Sequence, residues 1–450
     1  MIVLGIETSC DETSLSLIDA NQERGLTRMT GVAAVSARIR VLADRTLSQI
    51  ELHREYGGVF PNMAKREHSR TLIPLLKTVL LESNLISHSP HCLISNSAEE
   101  IKEILGKEPE LRAQFLEYIP TVQRPPIDAI AVTVGPGLEP CLWTGINLAK
   151  ALSLAWDVPV MPVNHMEGHI FSALLRRKDV ETFNYELLTF NFPALALLIS
   201  GGHTELVLIR DWFEYEIIGQ TRDDAVGEAF DKVARLLGLP YPGGPPLSAL
   251  AAAARTDADF TQTNAETGQR MSAYSRRESA VSLPRPMLKS DTLDFSFSGL
   301  KTAVLYLIQK LTQTDAVSVR AGLRPVRVSP RVQSLIAREF EDAITEVLVS
   351  KTKRAIEQYG VKTLLIGGGV IANTHIRNAF EKVANTYGRK YLPRNEFLHI
   401  PEPELATDNA LMIAVTGFLR LFLKNALKKA RNRELTAKGN LRLDRKYGVC

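Results

Sequence analysis

The feature that most constrains the fold is a pattern that occurs twice. Near the start, "IVLGIETSCDETSLSLID" reads as two short apolar strands around a polar turn, and "ALALLISGGHTELVLI" (Ala194–Ile209) repeats the form far downstream. Both turns carry Ser, Thr and Glu or Asp where a simple hairpin would carry Asn-Gly. Two such hairpins in one chain predict two similar lobes, each opening with a hairpin whose loop faces a shared cleft.

The segments between them set the fold class. "IDAIAVTVGPGLEPCLWTGINLAKALSLAWDVPVMPV" gives strand, glycine turn, helix, strand, and "KTLLIGGGVIANTHIRNAF" again gives strand, glycine turn, helix. "DDAVGEAFDKVARLLGL" is an amphipathic helix. Alternation of this kind predicts an α/β architecture. Ser83–Pro126, polar and acidic with helical patches, and Ala252–Ser282, rich in Ala, Thr, Ser, Asn and Arg, read as insertions, the second a mobile loop. The expected division is a first lobe over 1–164, with the insertion at 83–126 and completed by 400–423. A second lobe runs over 165–399, with the insertion at 252–282, and a basic tail covers 424–450.

Composition narrows the class. A chain of 450 residues with 45% hydrophobic and 23% charged residues can bury a large core and is not globally disordered. The net charge is +4, yet Lys424–Lys446 holds nine Lys/Arg against two Asp/Glu, a local +7 that could reach for phosphates or simply be solvated. Cys10, Cys92, Cys141 and Cys450 form no C-x-x-C pair, which fits a reducing compartment. No apolar run approaches the ~20 residues that span a bilayer, so no membrane insertion is expected. The first strand is expected to begin at Ile2, so no signal or transit peptide is expected ahead of the fold.

The chemistry starts at "PVNHMEGHIF". His165 and His169, four apart, lie on one helix face and can share a metal, given a third ligand. Asp408, in "ELATDNALMIA", stands at a helix start, where capping is its ordinary role. In a zinc-protease H-E-x-x-H helix the glutamate lies about 80° from the midpoint of the histidines, at roughly 100° per residue. In His165-Met-Glu167-Gly-His169 the angle is about 180°, so Glu167 points away from the metal face. It is expected to be a first-turn acid or the partner of a nearby cation. "TVGPGLEP", "LLISGGHTE" and "LLIGGGVIAN" each free backbone N–H groups suited to a phosphate, although none is a Walker A loop. Asp11 and Glu12 stand in the first hairpin loop beside Thr8, Ser9 and Thr13, either organising a metal or accepting a proton, or else in a solvated turn. Asp231 lies on a helix ahead of Gly243–Gly244, where an acid could bind ribose hydroxyls.

"GIETSCDET", "YGGVFP", "VGPGL", "NHMEGH", "LISGGHTEL", "GEAFDKVARLLGLPYPGGP", "LDFSFSGLKTAV", "GGGVIAN" and "TDNALMIA" occur in that order. Together they resemble the tRNA N6-adenosine threonylcarbamoyltransferase family, over about Met1–Leu421. The resemblance implies a two-lobed actin/Hsp70/sugar-kinase-like (ASKHA) fold around a nucleotide cleft. It implies transfer of threonylcarbamoyl from threonylcarbamoyl-AMP to N6 of the adenosine just 3′ of the anticodon, in tRNAs reading codons that begin with A. By the same match His165, His169 and Asp408 bind one divalent ion, Fe or Zn, and Asp11 with Glu12 forms the catalytic pair, Asp11 accepting the proton. Leu198, Ile199, Ser200, Gly201, Gly202, Asp231, Gly244, Ala372 and Asn373 would contact the adenylate. "HMEGH", "GEAFDK" and "DFSFSGLK" look like the bacterial and mitochondrial branch, whose members work with helper subunits or as homodimers. Insertions of this size imply a mitochondrial member, with the cytoplasm as the alternative. The rival readings are a metallopeptidase, for which Glu167 is misplaced, and an ATP-binding chaperone-like protein, which has no use for the His–His–Asp set.

Overall fold

In a computed structural model, the described residues are 1–22, 32–33, 37–86, 98–178, 184–265, 281–312, 329–391, 394–423 and 435–444. The chain divides into two compact units. The first comprises Met1–Phe192, Asp211–Glu216 and His399–Cys450, and the second Pro193–Arg210 and Ile217–Leu398.

In the first unit the strands are β1 (Ile2–Glu7), β2 (Glu12–Gln22), β3 (Val32–Ala33), β4 (Ala37–Ser48), β5 (Ala129–Gly135), β6 (Val160–Asn164), β7 (Leu175–Arg177), β8 (Asn184–Leu187) and β9 (Phe190–Asn191). Seven of them form one sheet in the order β6-β5-β1-β2-β4-β8-β7, while β3 pairs with β9. β1 runs antiparallel to β2 and parallel to β5. Its side chains alternate between two buried faces, which is why it reads as an unbroken apolar run. Leu4 and Ile6 join Leu72, Leu76, Leu142 and Ile146, on helices Pro61–Glu82 and Glu139–Trp156, in the main core. On the other face helix Ala410–Leu423 comes so close that a Cβ at Gly5 would overlap the Ala410 carbonyl.

In the second unit, β10 (Ala194–Ile199), β11 (Thr204–Asp211), β12 (Glu214–Gln220), β13 (Thr363–Gly367) and β14 (Leu398–His399) lie in the order β12-β11-β10-β13-β14. β10 is antiparallel to β11 and parallel to β13. This repeats β4-β2-β1-β5-β6 strand for strand. The duplicated hairpins therefore head duplicated sheets, and the fold is of the mixed α/β class expected.

Several expectations change. Residues 165–192 fold with the first unit, not with the second. The insertion at 83–126 carries helices Ala98–Ile104 and Pro109–Tyr118, whose Ile101, Leu111 and Phe115 enter the core, while 87–97 lie outside the described residues. Ala252–Ala265 is not loop but the continuation of helix Gly244–Ala265, and 266–280 lie outside the description. Of the tail, 424–434 and 445–450 are outside it as well, whereas Leu435 and Leu441 pack into the core of the first unit. Apolar side chains spaced through the described part of the stretch thus dock it, while Thr436, Lys438, Asn440 and Asp444 face water.

Candidate active site

The β1–β2 loop is pinned from several sides. The Thr8 hydroxyl donates to the Cys141 carbonyl (3.0 Å), and the Leu138 N–H donates to the Ser9 carbonyl (2.7 Å). The Gln49 N–H reaches the Asp11 carbonyl at 2.9 Å. His68 stands under the loop, its Nε2 3.0 Å from the Cys10 carbonyl and its Nδ1 2.7 Å from the Thr13 hydroxyl. A carbonyl only accepts, so Nε2 carries the proton and Nδ1 accepts from Thr13. Burial drives the His68 pKa down to about 4 and keeps the ring neutral in this role. Asp11 is consequently buried, not part of a solvated turn. Burial, then the charges of Asp408 and Asp11, push the Glu12 carboxyl well above the usual carboxylate range.

Helix His165–Ser172 presents both of its histidines to Asp408. Asn164 caps it, its side chain accepting from the Met166 N–H at 2.9 Å. His165 Nε2 and His169 Nε2 lie 3.3 and 3.1 Å from Asp408 Oδ1. On its other side the His165 ring meets the buried Glu7 carboxylate, Nδ1 to Oε2 at 3.1 Å, and Glu7 is held in turn by the Thr133 hydroxyl at 2.5 Å. Asp408 is not the cap its position predicted. The helix begins at Ala410, and Asn409 takes the capping role by accepting from the Met412 N–H at 2.9 Å. Asp408 is thereby free to turn toward the histidines.

The residues fit a divalent ion. One ligand atom from each of His165, His169 and Asp408 lies within 4.8 Å of the others. Glu7 fixes the His165 Nδ1–H tautomer, which aims the Nε2 lone pair at the shared point, the usual support for a metal-binding imidazole. Burial disfavours a charged His165, but Asp408 and Glu7 outweigh it and raise the affinity of Nε2 for positive charge well above its ordinary value, a place that either a proton or a metal cation can take. Burial likewise works against the Asp408 anion, yet the histidines bring it well below the carboxylate range. A cluster so rich in carboxylate calls for positive charge.

Glu167 turns the opposite way, as the helical angle requires. It is fully buried, and Arg420 holds it with two bonds, Nε to Oε2 at 2.6 Å and Nη2 to Oε1 at 2.7 Å. The Tyr215 hydroxyl adds a third at 2.7 Å. Both oxygens are engaged away from His165 and His169, so this glutamate cannot activate water at them.

The second unit gathers the other predicted positions. Leu198 and Ile199 end β10, and Ser200, Gly201 and Gly202 make the turn into β11. A Cβ at Gly201 or Gly202 would meet nothing within 4 Å. The start of helix Val226–Leu236 abuts this turn, the Gly227 N–H donating to the Ser200 carbonyl at 3.2 Å. Gly368 (φ +94°) sits so close to the Ile199 carbonyl that a side chain would clash. It opens the turn Gly369–Ala372, after which comes Asn373. Asp231 accepts from the Gly243 N–H at 2.7 Å and so orders the turn before Gly244, where helix Gly244–Ala265 begins.

The "GPG" turn departs from expectation. Its N–H groups are not open to a phosphate. Gly137 donates to the Gly439 carbonyl at 3.0 Å, and a Cβ on Gly135 would overlap the Lys438 carbonyl. The segment 438–441 occupies the place, and no local pattern announces a partner so distant in sequence. "LDFSFSGLK" is also structural: Asp223 accepts from the hydroxyls of Ser296 (2.6 Å) and Ser298 (2.8 Å), tying the motif to the start of helix Val226–Leu236.

Fold and site together define an α/β protein with an acidic loop, a His–His–Asp cluster whose histidines are buried, and an open glycine turn. Residues 40–89 and 120–415 match the family described as tRNA N6-adenosine threonylcarbamoyltransferase. A protein of that description from Burkholderia mallei is 40% identical over 421 residues, covering 94% of this chain and 92% of its own length. Its counterpart from Paraburkholderia xenovorans is 39% identical over the same coverage. Among solved structures, the ROK hexokinase from Thermus thermophilus aligns with 94% of this chain and all of its own, at a TM-score of 0.35 and 12% identity. The chain belongs to the tRNA N6-adenosine threonylcarbamoyltransferase family. It is a transferase that acts in tRNA modification. Residues 90–119, which the family match skips, mark the insertion more narrowly than 83–126.

Proposed function

We propose that the chain transfers the threonylcarbamoyl group from threonylcarbamoyl-AMP to N6 of the tRNA adenosine just 3′ of the anticodon, in tRNAs reading codons that begin with A. The observation that carries this reading is the β1–β2 loop, which buries Asp11 beside Glu12 under the influence of Asp408. N6 of adenosine is conjugated with its ring and is a poor nucleophile, so holding it in place and removing its proton supply much of the rate. Asp11 accepts that proton as N6 bonds to the carbamoyl carbon. The bond from that carbon to the phosphate oxygen breaks, and AMP leaves. Burial, then the charges of Asp408 and Asp11, raise the affinity of Glu12 for a proton, and Asp11 is the base proposed for N6.

His165, His169 and Asp408 would hold one divalent ion, Fe or Zn, which when bound supplies Lewis-acid polarisation of donor oxygens. Glu7 orients His165, and Asn164 sets the start of the helix that bears both histidines. In the second unit the Ser200–Gly202 turn, Asp231, Gly244 and the Gly369–Asn373 turn seat the adenylate. A homodimer is the proposed working state and the mitochondrion its compartment.

The test is incubation with threonylcarbamoyl-AMP and unmodified tRNA, followed by mass spectrometry of the nucleosides. Modified adenosine formed in proportion to AMP release is the expected result, and AMP release without it would refute the transfer. Loss of the gene should remove the nucleoside from mitochondrial tRNA and spare cytosolic tRNA. The reverse pattern would place the protein in the cytosol.

A further inference from the structure

Glu341, on helix Pro330–Tyr359, is a carboxylate sealed inside the second unit, 1% exposed. Such a group persists only if its oxygens are bonded. Oε1 accepts from the Ser248 hydroxyl at 2.8 Å and from the Asn373 amide at 2.6 Å. Oε2 accepts from Arg255 Nη1 at 2.5 Å. The other arm of Arg255 reaches Asp342 Oδ1 at 2.6 Å, and His375 Nε2 meets the same oxygen at 3.0 Å.

Each polar atom of the Asn373 carboxamide has a partner within the protein. Its nitrogen donates to Ser248 Oγ at 2.6 Å as well as to Glu341, and its oxygen accepts from the Ile376 N–H at 3.0 Å, capping helix Thr374–Tyr391. Asn373 thus serves the turn by fixing it, while the backbone of Gly369–Ala372 remains for a ligand. Ser248 lies one turn into the helix that begins at Gly244. Glu341 therefore ties together the two elements on which Gly244 and Asn373 sit.

We propose that Glu341 is the positioning residue of the adenylate seat: through Ser248 and Asn373 it sets the Gly244 helix start and the Gly369–Asn373 turn in register with each other. The proposal rests on the reading of those turns as the adenylate seat. It assigns Asn373 an indirect part in recognition, and it adds Ser248, Arg255 and Glu341 to the determinants of donor affinity.

The experiment uses the full chain, with AMP as the probe in calorimetry and with steady-state kinetics on threonylcarbamoyl-AMP and tRNA. Glu341→Gln keeps an acceptor for Ser248 and Asn373 but sets an amide against Arg255. It should weaken AMP about tenfold and raise KM for the donor in step, with KM for tRNA and metal content unchanged. Ser248→Ala, which leaves no buried charge unpaired, should shift the same two quantities by a smaller factor, and it carries the test if Glu341→Gln fails to fold. AMP bound as tightly by both variants as by the wild type would overturn the proposal alone. So would parallel loss of AMP, tRNA and metal binding in Ser248→Ala, the mark of a general folding defect. A wild-type chain with no affinity for AMP would overturn the adenylate reading, and the proposal with it.

Discussion

The two hairpins that open the two sheets share strand order and pairing, and they differ in what their loops do. The β1–β2 loop is acidic, buried and held by His68, Gln49, Cys141 and Leu138. The β10–β11 turn is built from glycine, and a side chain added at Gly201 or Gly202 would meet open space. One scaffold has thus been fitted for opposite tasks. A pinned, water-poor loop suits proton transfer, because its carboxylates keep a fixed geometry and burial raises the affinity of Glu12 for a proton. An open glycine turn suits a ligand that must bring its own atoms close to the backbone.

The largest expected effect lies in the first loop and its neighbours. Asp11→Asn should lower kcat by about 10²–10⁴, the range of a general base, with metal content unchanged. His169→Ala and Asp408→Ala should each lower transfer and metal content together. Retained metal in both alanine variants would break the assignment of the His–His–Asp cluster.

Next comes Glu167→Gln. The sequence geometry predicts only a mild effect on transfer, and the structure adds a cost in stability. Removing the charge strands Arg420 in a buried site, which costs about 3–5 kcal/mol in comparable buried pairs. Denaturant melts should show that loss, while transfer per folded molecule and metal content stay near wild type. A dead enzyme of undiminished stability would reopen the peptidase reading.

His68 provides a pH test of the pinned loop. Its pKa falls from 6.5 to about 4 on folding. Between those values the unfolded chain takes up the proton and the folded chain does not. Stability is therefore complete above about pH 6.5, falls as the pH drops through that window, and loses no more from this group below pH 4. The shift corresponds to about 3 kcal/mol. Urea melts at pH 7 and pH 4.5 should differ by much of that amount, and His68→Gln should flatten the slope. An equal slope in the variant would mean that other groups set it.

Much of this contrast is legible in the sequence, because both hairpins are local. The strands appear as apolar runs, the loop residues stand between them, and the spacing of His165, Glu167 and His169 fixes their directions on a helix. What stays hidden depends on distant segments. Lys438–Leu441 fills the Gly135–Gly137 turn from the far end of the chain, so a motif that looks like a phosphate loop is instead a docking point. Arg420 as the partner of Glu167, and Glu341 as the partner of Asn373, are likewise long-range pairings that no periodicity encodes. Asp408 could be joined to the histidines only through family resemblance, since spacing alone makes it a cap.

The smallest effect is expected at the glycine turn, and it completes the most direct test of the division of labour. Gly202→Leu has room within the unit and should leave the melting temperature nearly unchanged, yet its side chain would stand where the donor is expected. Steady-state transfer by Gly202→Leu and Asp11→Asn, measured side by side against threonylcarbamoyl-AMP and tRNA, separates the two roles. Gly202→Leu should raise KM for the donor about tenfold with kcat nearly intact, and Asp11→Asn should lower kcat with donor KM nearly intact. A fall in kcat at Gly202→Leu together with a rise in donor KM at Asp11→Asn would contradict this division of labour.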